Sequence, residues 1–431
     1  MSSMHTRPVR VLVVPGATEI AMEVRAALGH RPDIELYSAG IADGTHADLV
    51  FARHEPLPMV DDPEWAERLG EIIRDHDIDL VYPAHDSVVL ACAEAAATLG
   101  AAVVGSPADT CRVARSKRLT YAVLGVHVPV PKVIDEAVLA PGDFPLFIKP
   151  DVGQGSQGAV RVDGPEALAT ARAAGADLLM EYLPGEEFTV DCFTDRHGRL
   201  AYAGPRQRDR TRAGISMASH HVEDPDLSDM AERINRVLTL RGAWFFQTRR
   251  DTDGTHHLLE VAPRIAGTSA VARAAGVNLP LLSVYTALGI DVEVTPTPGE
   301  VSVDRALVNR YRHAYRYGAV YVDLDDTLLI RGRVNAELVG FLFECLNHGR
   351  EVVLVTRHRG DVEQTLQRHR LTAIFDRIEH LGDHAPKSAV INRSDAIFID
   401  DSFAERREVA TTLGIPVFDS DQVEVLSDAR V

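Results

Sequence analysis

Residues 144–162 read Phe144-Pro-Leu-Phe-Ile-Lys-Pro-Asp-Val-Gly-Gln-Gly-Ser-Gln-Gly-Ala-Val-Arg-Val162. The apolar start of this stretch predicts a strand that ends at Lys149, because Pro150 does not continue it. Three glycines after the lysine let backbone N–H groups approach an anion. They are Gly153, Gly155 and Gly158. The stretch therefore predicts a phosphate-binding loop with one fixed ammonium beside it.

The same glycines spell G-x-G-x-x-G, which in dinucleotide-binding proteins follows a strand and opens a helix. Here Ala159-Val-Arg-Val162 follows, and this run predicts a strand. The pattern favours a β-hairpin flap over a nucleotide triphosphate rather than a Rossmann loop. An ordinary glycine turn between two strands stays open as the alternative.

Length and composition set the broad class. A chain of 431 residues is too long for one common core, and roughly 150 residues per domain predicts about three units. Hydrophobic residues make up 45% and charged residues 25%, as in soluble globular proteins. The formal charge of −18 argues against nonspecific binding to nucleic acid or to a membrane. The expected partners are therefore small molecules.

Neither a membrane span nor a secretion signal is expected. No run approaches the roughly 18 apolar residues of a spanning helix, and residues 1–8 lack the apolar core of a signal peptide. A cytoplasmic location is the expectation. The cysteines lack C-x-x-C or metal-ligand spacing, so free buried thiols are expected at Cys92, Cys111, Cys192 and Cys345.

Residues 1–106 alternate short apolar runs with helical patterns, beginning with the strand run Val11-Leu-Val-Val14. Such alternation predicts a parallel sheet covered on both faces. His85-Asp86-Ser87 lies just past the end of a predicted strand, where ligands of such sheets gather. A substrate contact and a solvated turn are both open for this tripeptide.

Residues 107–295 form the predicted second domain around the glycine loop. A helix that starts at Pro107 and ends at Gly125 carries Lys117. Two later strand runs flank a turn with three carboxylates, in Glu181-Tyr-Leu-Pro-Gly-Glu-Glu187. Such an acidic turn is common by itself, and its place after the flap is what makes it a candidate.

The motifs of these domains resemble those of ATP-grasp ligases and stand in the same order. They are Ser116-Lys117, the strand and glycine loop at 144–158, the turn at 181–187, Phe246-Gln247, and Leu259-Glu-Val-Ala-Pro-Arg264 with Gly267-Thr-Ser269. The match is closest to the carbamoyl-phosphate-synthetase-like branch and covers residues 8–295. It implies an α/β protein with an ATP-grasp fold, made of an N-terminal pre-grasp domain at 1–106 and two α+β subdomains at 107–295.

The resemblance also implies roles. Lys117 and Lys149 resemble the cations on the nucleotide phosphates, and Arg264 resembles the arginine that steadies a transferred phosphate or a substrate carboxylate. Gln247 and Glu260 match the magnesium side. The remaining implied nucleotide contacts are the flap residues Gly153, Gly155, Ser156 and Gly158, and the adenine hinge Glu181, Tyr182 and Leu183. Glu187 is the implied carboxylate on the ribose hydroxyls, and Arg208 is one further nucleotide contact.

One motif departs from the family pattern. The usual Glu-x-Asn-Pro-Arg appears as Glu260-Val-Ala262-Pro-Arg264, so an oxygen ligand for magnesium is missing at 262. A water or another side chain can take that place, because Mg²⁺ accepts several waters. Loss of catalysis is the alternative interpretation.

A basic cluster lies between two predicted strands, in residues 204–214. Its members are Arg206, Arg208, Arg210 and Arg212. The sequence predicts a loop there, and two interpretations stay open. The charges are either solvated on an exposed loop or grip an acyl phosphate during transfer.

Residues 296–317 are predicted to be a linker, and residues 318–431 a further α/β domain. The run Ala319-Val-Tyr-Val-Asp-Leu-Asp-Asp-Thr-Leu-Leu329 is an apolar strand followed by Asp323 and Asp325. Residues two apart lie on one side of an extended chain. Paired carboxylates at a strand end suit a metal-assisted nucleophile and an acid/base pair.

Two later strands complete the pattern, one ending at Thr356 and one followed by Asp400-Asp401, with Lys387 between them. The domain resembles the haloacid dehalogenase superfamily of phosphohydrolases. This implies that Asp323 attacks phosphorus, that Asp325 acts as acid and base, and that Thr356 and Lys387 hold the phosphoryl group. The implied magnesium ligands are Asp323, Asp325, Asp400 and Asp401.

The gaps between these motifs have room for about one helix and one strand each, so a capless Rossmann-like domain is expected. A metal-binding but inactive relic is the alternative.

Together the two resemblances predict a bifunctional enzyme that uses ATP and Mg²⁺. An ATP-dependent ligase would join a carboxylate to an amine or another nucleophile through an acyl phosphate. A magnesium phosphohydrolase with an aspartyl-phosphate intermediate would act on a phosphorylated small molecule. The alternatives are a phosphatase whose ATP-grasp part only binds nucleotide as a sensor or cap, and a non-catalytic nucleotide-binding scaffold. A homodimer is one option for the assembly.

Overall fold

The structure, a computed structural model, describes residues 7–42, 44–153, 155, 157–212, 214–428 and 430. The chain divides into two units, the first ending at Leu307 and the second beginning at Val308. Among the described residues, none of the helices combines the length and the apolar character that crossing a bilayer requires.

The first unit begins with a parallel sheet of order β3-β2-β1-β4-β5. Apolar β1 is buried along nearly its whole length in the centre of this sheet. The strands are β1 Val9–Val14, β2 Ile34–Gly40, β3 His54–Pro56, β4 Leu80–Pro83 and β5 Ala102–Val103. The helices of this region are α1 Glu19–Leu28, α2 Trp65–Asp75, α3 Asp86–Ala95, α4 Ala108–Arg115 and α5 Lys117–Leu124.

The single helix predicted before Gly125 is two helices. Ser116 has extended backbone between α4 and α5, and its hydroxyl caps α5 by accepting from Leu119 N. A serine at this position satisfies an N–H group that the helix itself leaves without a partner. The break places Lys117 at the first position of α5.

The glycine-loop region forms a three-stranded antiparallel sheet of order β7-β6-β8. Its elements are β6 Leu146–Lys149, β7 Val160–Val162, α6 Pro165–Ala173 and β8 Leu178–Glu181. The predicted hairpin of two strands around the glycines is confirmed by the antiparallel pairing of β6 with β7.

A six-stranded antiparallel sheet of order β13-β12-β9-β10-β11-β14 completes the first unit. Its strands are β9 Glu187–Thr194, β10 Leu200–Arg212, β11 Ile215–His221, β12 Gly242–Arg250, β13 His256–Ala262 and β14 Ser302–Asp304. Its helices are α7 Pro225–Val237, α8 Ala270–Ala274 and α9 Leu279–Ala287. The predicted linker at 296–317 therefore contains a strand, because β14 pairs with β11.

The second unit is built on a parallel sheet of order β19-β18-β15-β20-β21. Its strands are β15 Ala319–Val322, β16 Leu329–Ile330, β17 Arg333–Val334, β18 Glu351–Thr356, β19 Arg377–His380, β20 Ala396–Ile399 and β21 Val417–Phe418. Its helices are α10 Ala336–Asn347, α11 Val362–His369, α12 Phe403–Leu413 and α13 Val423–Leu426. Strands β16 and β17 form a separate short hairpin between β15 and α10.

Candidate functional sites

A cavity of about 520 Å³ lies inside the first unit. Its walls come from the segments that follow β1 and β4, from β6 and the glycine loop, from the turn after β8, and from β9, β10, β12 and β13. Twelve of the residues expected to contact nucleotide, metal or substrate line it: Lys117, Lys149, Gly153, Gly155, Glu181, Tyr182, Leu183, Glu187, Arg208, Gln247, Glu260 and Arg264. Gly158 is not among the lining residues, and Ser156 lies outside the described residues.

Two buried lysines face this cavity. Lys149, at the end of β6, donates to Tyr121 Oη at 3.0 Å and to Leu259 O at 3.2 Å. Lys117 donates to Asp151 O at 3.1 Å and to Gly153 O at 3.4 Å, so it holds the start of the glycine loop. Neither ammonium lies within ion-pair distance of a carboxylate in the described part of the chain, which leaves both charges available to an anionic ligand.

Burial lowers the pKa of Lys149 to about 8, although the nearby Glu260 carboxylate works against the shift. The ammonium form is the one that attracts phosphate. It predominates below about pH 8 and is lost as the pH rises through that value.

We expect nucleotide binding to weaken about tenfold between pH 7 and pH 9, because the fraction of charged Lys149 falls over that range. Calorimetric titration with β,γ-imido ATP at several pH values measures this. The same series on Lys149→Ala should lose this pH dependence. An equally steep dependence in the variant would assign the effect to another group.

Next to the lysines lies the turn that follows β8. Glu181 accepts a hydrogen bond from Lys132 N at 2.7 Å, so its carboxylate is held by backbone. Leu183 is buried, and the Tyr182 ring lies 4.8 Å from the guanidinium carbon of Arg161. A flat apolar surface with nearby backbone polar groups suits an adenine ring.

Glu187 begins β9 and is paired with Arg208, which also donates to Gln247 Oε1 at 3.1 Å. Arg208 further donates to Gly214 O at 2.5 Å. The arginine therefore neutralises the carboxylate expected to bind ribose. A neutralised carboxylate still has oxygen lone pairs that accept hydrogen bonds from hydroxyl groups.

The basic cluster at 206–212 lies on β10 and is not a loop, which corrects the prediction. Arg206 is 1% exposed and donates to Asp191 Oδ2 at 2.7 Å and to Ser219 Oγ at 3.2 Å. Arg206 and Arg208 line the cavity, whereas Arg210 and Arg212 are exposed. Half of the cluster is thus solvated and half is built into the cavity wall.

A row of cavity-facing side chains crosses the six-stranded sheet. Glu260 pairs with Gln247, Gln247 with Thr189, and Thr189 with Arg206. Residues directly opposite each other in antiparallel strands lie on the same face. This row places one carboxylate and one amide side by side.

The oxygen donors beside Glu260 fit one divalent cation. Mg²⁺ is commonly held by one or two carboxylates together with phosphate oxygens and waters. Glu260 supplies the carboxylate and Gln247 a carbonyl oxygen, while Ala262 supplies no ligand. Within the described part of the first unit, no three His, Cys, Asp or Glu side chains converge on one point.

Arg264, which also lines the cavity, is held in place by Asp86. The guanidinium donates through Nε to Oδ1 at 2.7 Å and through Nη2 to Oδ2 at 2.5 Å. Burial alone would raise the pKa of Asp86, but Arg264 outweighs burial and the pKa is lowered. The carboxylate thus stays ionised and fixes the arginine. Asp86 therefore lines the cavity and also orients Arg264.

In the second unit, three parallel strands bring the predicted phosphohydrolase residues together. Asp323 follows β15, Thr356 ends β18 and Asp400 follows β20, and β15 pairs with both other strands. Lys387 Nζ lies between the two aspartates, 2.5 Å from Asp323 Oδ1 and 2.6 Å from Asp400 Oδ2.

Burial raises the pKa of Asp323 to about 7, while Lys387 opposes the shift and Asp400 adds to it. Burial would lower the pKa of Lys387, but the two carboxylates outweigh it and raise that pKa. A second cation near these carboxylates would favour their ionised forms.

The carboxylates that converge are Asp323, Asp400 and Asp401. Asp325, predicted as a further metal ligand, is not part of this group. Its two oxygens each lie 3.0 Å from His358 Nδ1, and the other ring nitrogen lies 3.0 Å from Thr365 Oγ1. The donor set of three carboxylates fits Mg²⁺.

Several residues that lie in these sites belong to none of the predicted site motifs. They are Tyr121 and Asp191 beside the cavity cations, Arg115 on the glycine loop, and His358 on Asp325. For His358, its position two residues after Thr356 was an available signal, since Thr356 is the last residue of β18 and His358 lies just past it. The other contacts join distant parts of the chain.

Comparison with known proteins supports the resemblance of the first unit to ATP-grasp proteins. Residues 175–307 match the model of a family described as "ATP-grasp in the biosynthetic pathway with Ter operon". No curated protein matches the sequence. The family match ends at residue 307, so the haloacid-dehalogenase-like interpretation of the second unit stays a prediction.

Several solved structures resemble the chain. The biotin carboxylase domain of 2-oxoglutarate carboxylase from Hydrogenobacter thermophilus, in complex with MgADP, ADP and bicarbonate, is 16% identical with a TM-score of 0.58, over 69% of this chain and 74% of that one. An ADP complex of N5-carboxyaminoimidazole ribonucleotide synthetase is 14% identical with a TM-score of 0.58, over 70% and 82%. An L-amino acid ligase from Bacillus licheniformis is 18% identical with a TM-score of 0.53, over 66% and 75%.

Proposed function

From a first unit that has the ATP-grasp fold, we propose an ATP-dependent ligase that joins a carboxylate to an amine or another nucleophile. The observation that carries this proposal is the convergence of Lys117, Lys149 and Glu260 on one cavity. Two buried ammonium groups, together with the Glu260 carboxylate in the same cavity, suit a polyphosphate with one bound cation.

The proposed reaction has two steps. A carboxylate oxygen of the acid attacks the γ-phosphorus of ATP, and the bond from that phosphorus to the β,γ-bridging oxygen breaks, releasing ADP. The nucleophile then attacks the carbonyl carbon of the acyl phosphate, and phosphate leaves with the oxygen that came from the acid. An amine nucleophile loses a proton as the amide forms.

The side chains divide the work. Lys117 and Lys149 neutralise the phosphates, and the loop around Gly153 and Gly155 covers them with backbone N–H groups. Arg264, fixed by Asp86, faces the acid and its phosphate. Positioning and charge neutralisation supply most of the acceleration in phosphoryl transfer.

Magnesium would be held by Glu260 and Gln247, and when bound it neutralises phosphate charge. Three observations support ATP and Mg²⁺ as the ligands of this chain. The structure of the biotin carboxylase domain contains MgADP, that of the synthetase contains ADP, and the donors beside Glu260 fit one Mg²⁺.

The test is an ADP-release screen over amino acids and small carboxylates, with the products identified by mass. We expect ADP formation that depends on one class of acid, and a product whose mass equals acid plus nucleophile minus water. Tight nucleotide binding without acid-dependent ADP release would favour a nucleotide sensor or a scaffold over a ligase.

For the second unit we propose a magnesium-dependent phosphohydrolase. The observation that favours it is the contact of Lys387 with both Asp323 and Asp400, with Asp401 nearby. Asp323 would attack phosphorus and release the alcohol, and water would then hydrolyse the aspartyl phosphate. Asp325, held by His358, would protonate the leaving oxygen and later take a proton from the water.

The bound magnesium would neutralise the phosphoryl oxygens. Thr356 and Lys387 would hold the same oxygens from the protein side. The substrate is a phosphorylated small molecule in this proposal, and a cytoplasmic location and a homodimer remain predictions from the sequence.

A further inference from the structure

A second, smaller cavity of about 50 Å³ lies beside the Ala262 side chain. A cavity of this volume has room for more than one water molecule. Five charged side chains line it: Asp86, Arg115, Lys117, Glu260 and Arg264. The ATP-grasp motif that residues 260–264 resemble implies a metal-ligating asparagine at position 262, and in this chain charged side chains surround the alanine there.

The charges around this cavity are unfavourable for a second metal ion in addition to the one proposed at Glu260 and Gln247. Asp86 is already engaged by Arg264 through two hydrogen bonds. Glu260 is then the one remaining carboxylate of the lining, and it faces the cations Arg115 and Lys117. A divalent ion placed beside two fixed positive charges would be repelled by both.

Arg115, in the last turn of α4, connects two walls of the site. Its Nη1 donates to Gly153 O at 3.2 Å, and its Nη2 donates to Ser87 Oγ at 3.2 Å. Lys117 donates to the same glycine carbonyl at 3.4 Å. These contacts use two of the five N–H groups of the guanidinium, which leaves donors for an anion at the glycine loop.

We propose that Arg115 supplies, beside Ala262, the positive charge that a second metal ion would supply, so that this chain binds its nucleotide with a single divalent cation. The proposal rests on the proposed nucleotide site of the first unit. It accounts for the alanine, because a metal-ligating oxygen at 262 has no function where an arginine takes the place of the ion.

The test counts metal ions rather than turnover. Mn²⁺ is the probe, since its electron paramagnetic resonance signal distinguishes free from bound ion. Binding to the full-length protein is measured with and without saturating β,γ-imido ATP, so that any site in the second unit cancels in the difference. We expect one nucleotide-dependent Mn²⁺ per chain. Two such ions would overturn the proposal.

The variants separate charge from packing. In Arg115→Gln the nucleotide dissociation constant should rise about tenfold or more, whereas Arg115→Lys, which keeps the charge, should lose less. Arg112→Gln is the matched control, because Arg112 lies on the same helix but pairs with Glu94 and Asp109. An unchanged dissociation constant in Arg115→Gln would overturn the role of Arg115.

The double variant Ala262→Asn with Arg115→Gln restores the ligand and removes the competing charge. We expect it to bind two nucleotide-dependent Mn²⁺ ions and to recover part of the lost affinity. One ion in the double variant, with a melting temperature equal to that of the parent, would show that Arg115 does not exclude the second ion. Absence of β,γ-imido ATP binding by the parent protein would instead contradict the proposed nucleotide site itself.

Discussion

Asp323→Asn is expected to lower phosphate release by the second unit at least about a thousandfold while leaving ADP formation by the first unit unchanged. An amide of nearly the same shape cannot attack phosphorus, so the covalent step is lost. The measurement is phosphate release from a panel of phosphorylated small molecules at saturating Mg²⁺, run beside the ADP assay.

The matched control is Asp326→Asn. Asp326 is exposed and has a φ of 59°, a conformation that asparagine accepts. This variant should keep full activity in both assays. Phosphate release that survives in Asp323→Asn would exclude an aspartyl-phosphate mechanism at this residue.

Lys149→Ala is expected to weaken binding of β,γ-imido ATP by about ten- to a hundredfold, because it removes a charge-assisted contact worth ~1.5–3 kcal/mol. Calorimetric titration measures the dissociation constant. Lys132→Ala removes an exposed lysine from the same unit and should leave the constant unchanged. Equal affinities in the two variants would contradict the assignment of Lys149 to the phosphates.

The sequence predicted the parts of the site that are local. The strand before Lys149 and the strand after the glycines have short, regular patterns, and their antiparallel pairing is observed. The strand ends at Asp323 and Asp400 were predictable for the same reason, since an apolar run stops at a carboxylate.

Contacts between distant residues were not predictable. Arg264 and Asp86 are 178 residues apart, and only the folded unit shows that the two motifs form one ion pair. Residues 204–214, most of which lie in β10, were predicted to be a loop, because the inner residues Arg206 and Arg208 are as polar as the outer ones. Alternation of apolar and polar residues is the usual sign of a strand. This part of β10 lacks the alternation because its inner face lines a polar cavity and also carries polar residues.

One compositional signal could have pointed to the sites. The chain has four lysines, at positions 117, 132, 149 and 387, among 45 lysines and arginines. Three of the four are buried, at 117, 149 and 387, and each faces a predicted phosphate site. A lysine ammonium is a compact point charge that binds phosphate oxygens. In an arginine-rich chain, the rare lysines therefore indicate where phosphate binds.

The central claim is that the first unit makes an acyl phosphate. Its most direct test uses an acid labelled with ¹⁸O in the carboxylate, ATP and the nucleophile, in the Asp323→Asn background so that the second unit adds no phosphate. The inorganic phosphate released is analysed by mass. One ¹⁸O atom per phosphate is the predicted result, because the oxygen that attacks the γ-phosphorus leaves with it. Unlabelled phosphate, released together with the ligated product, would contradict the account.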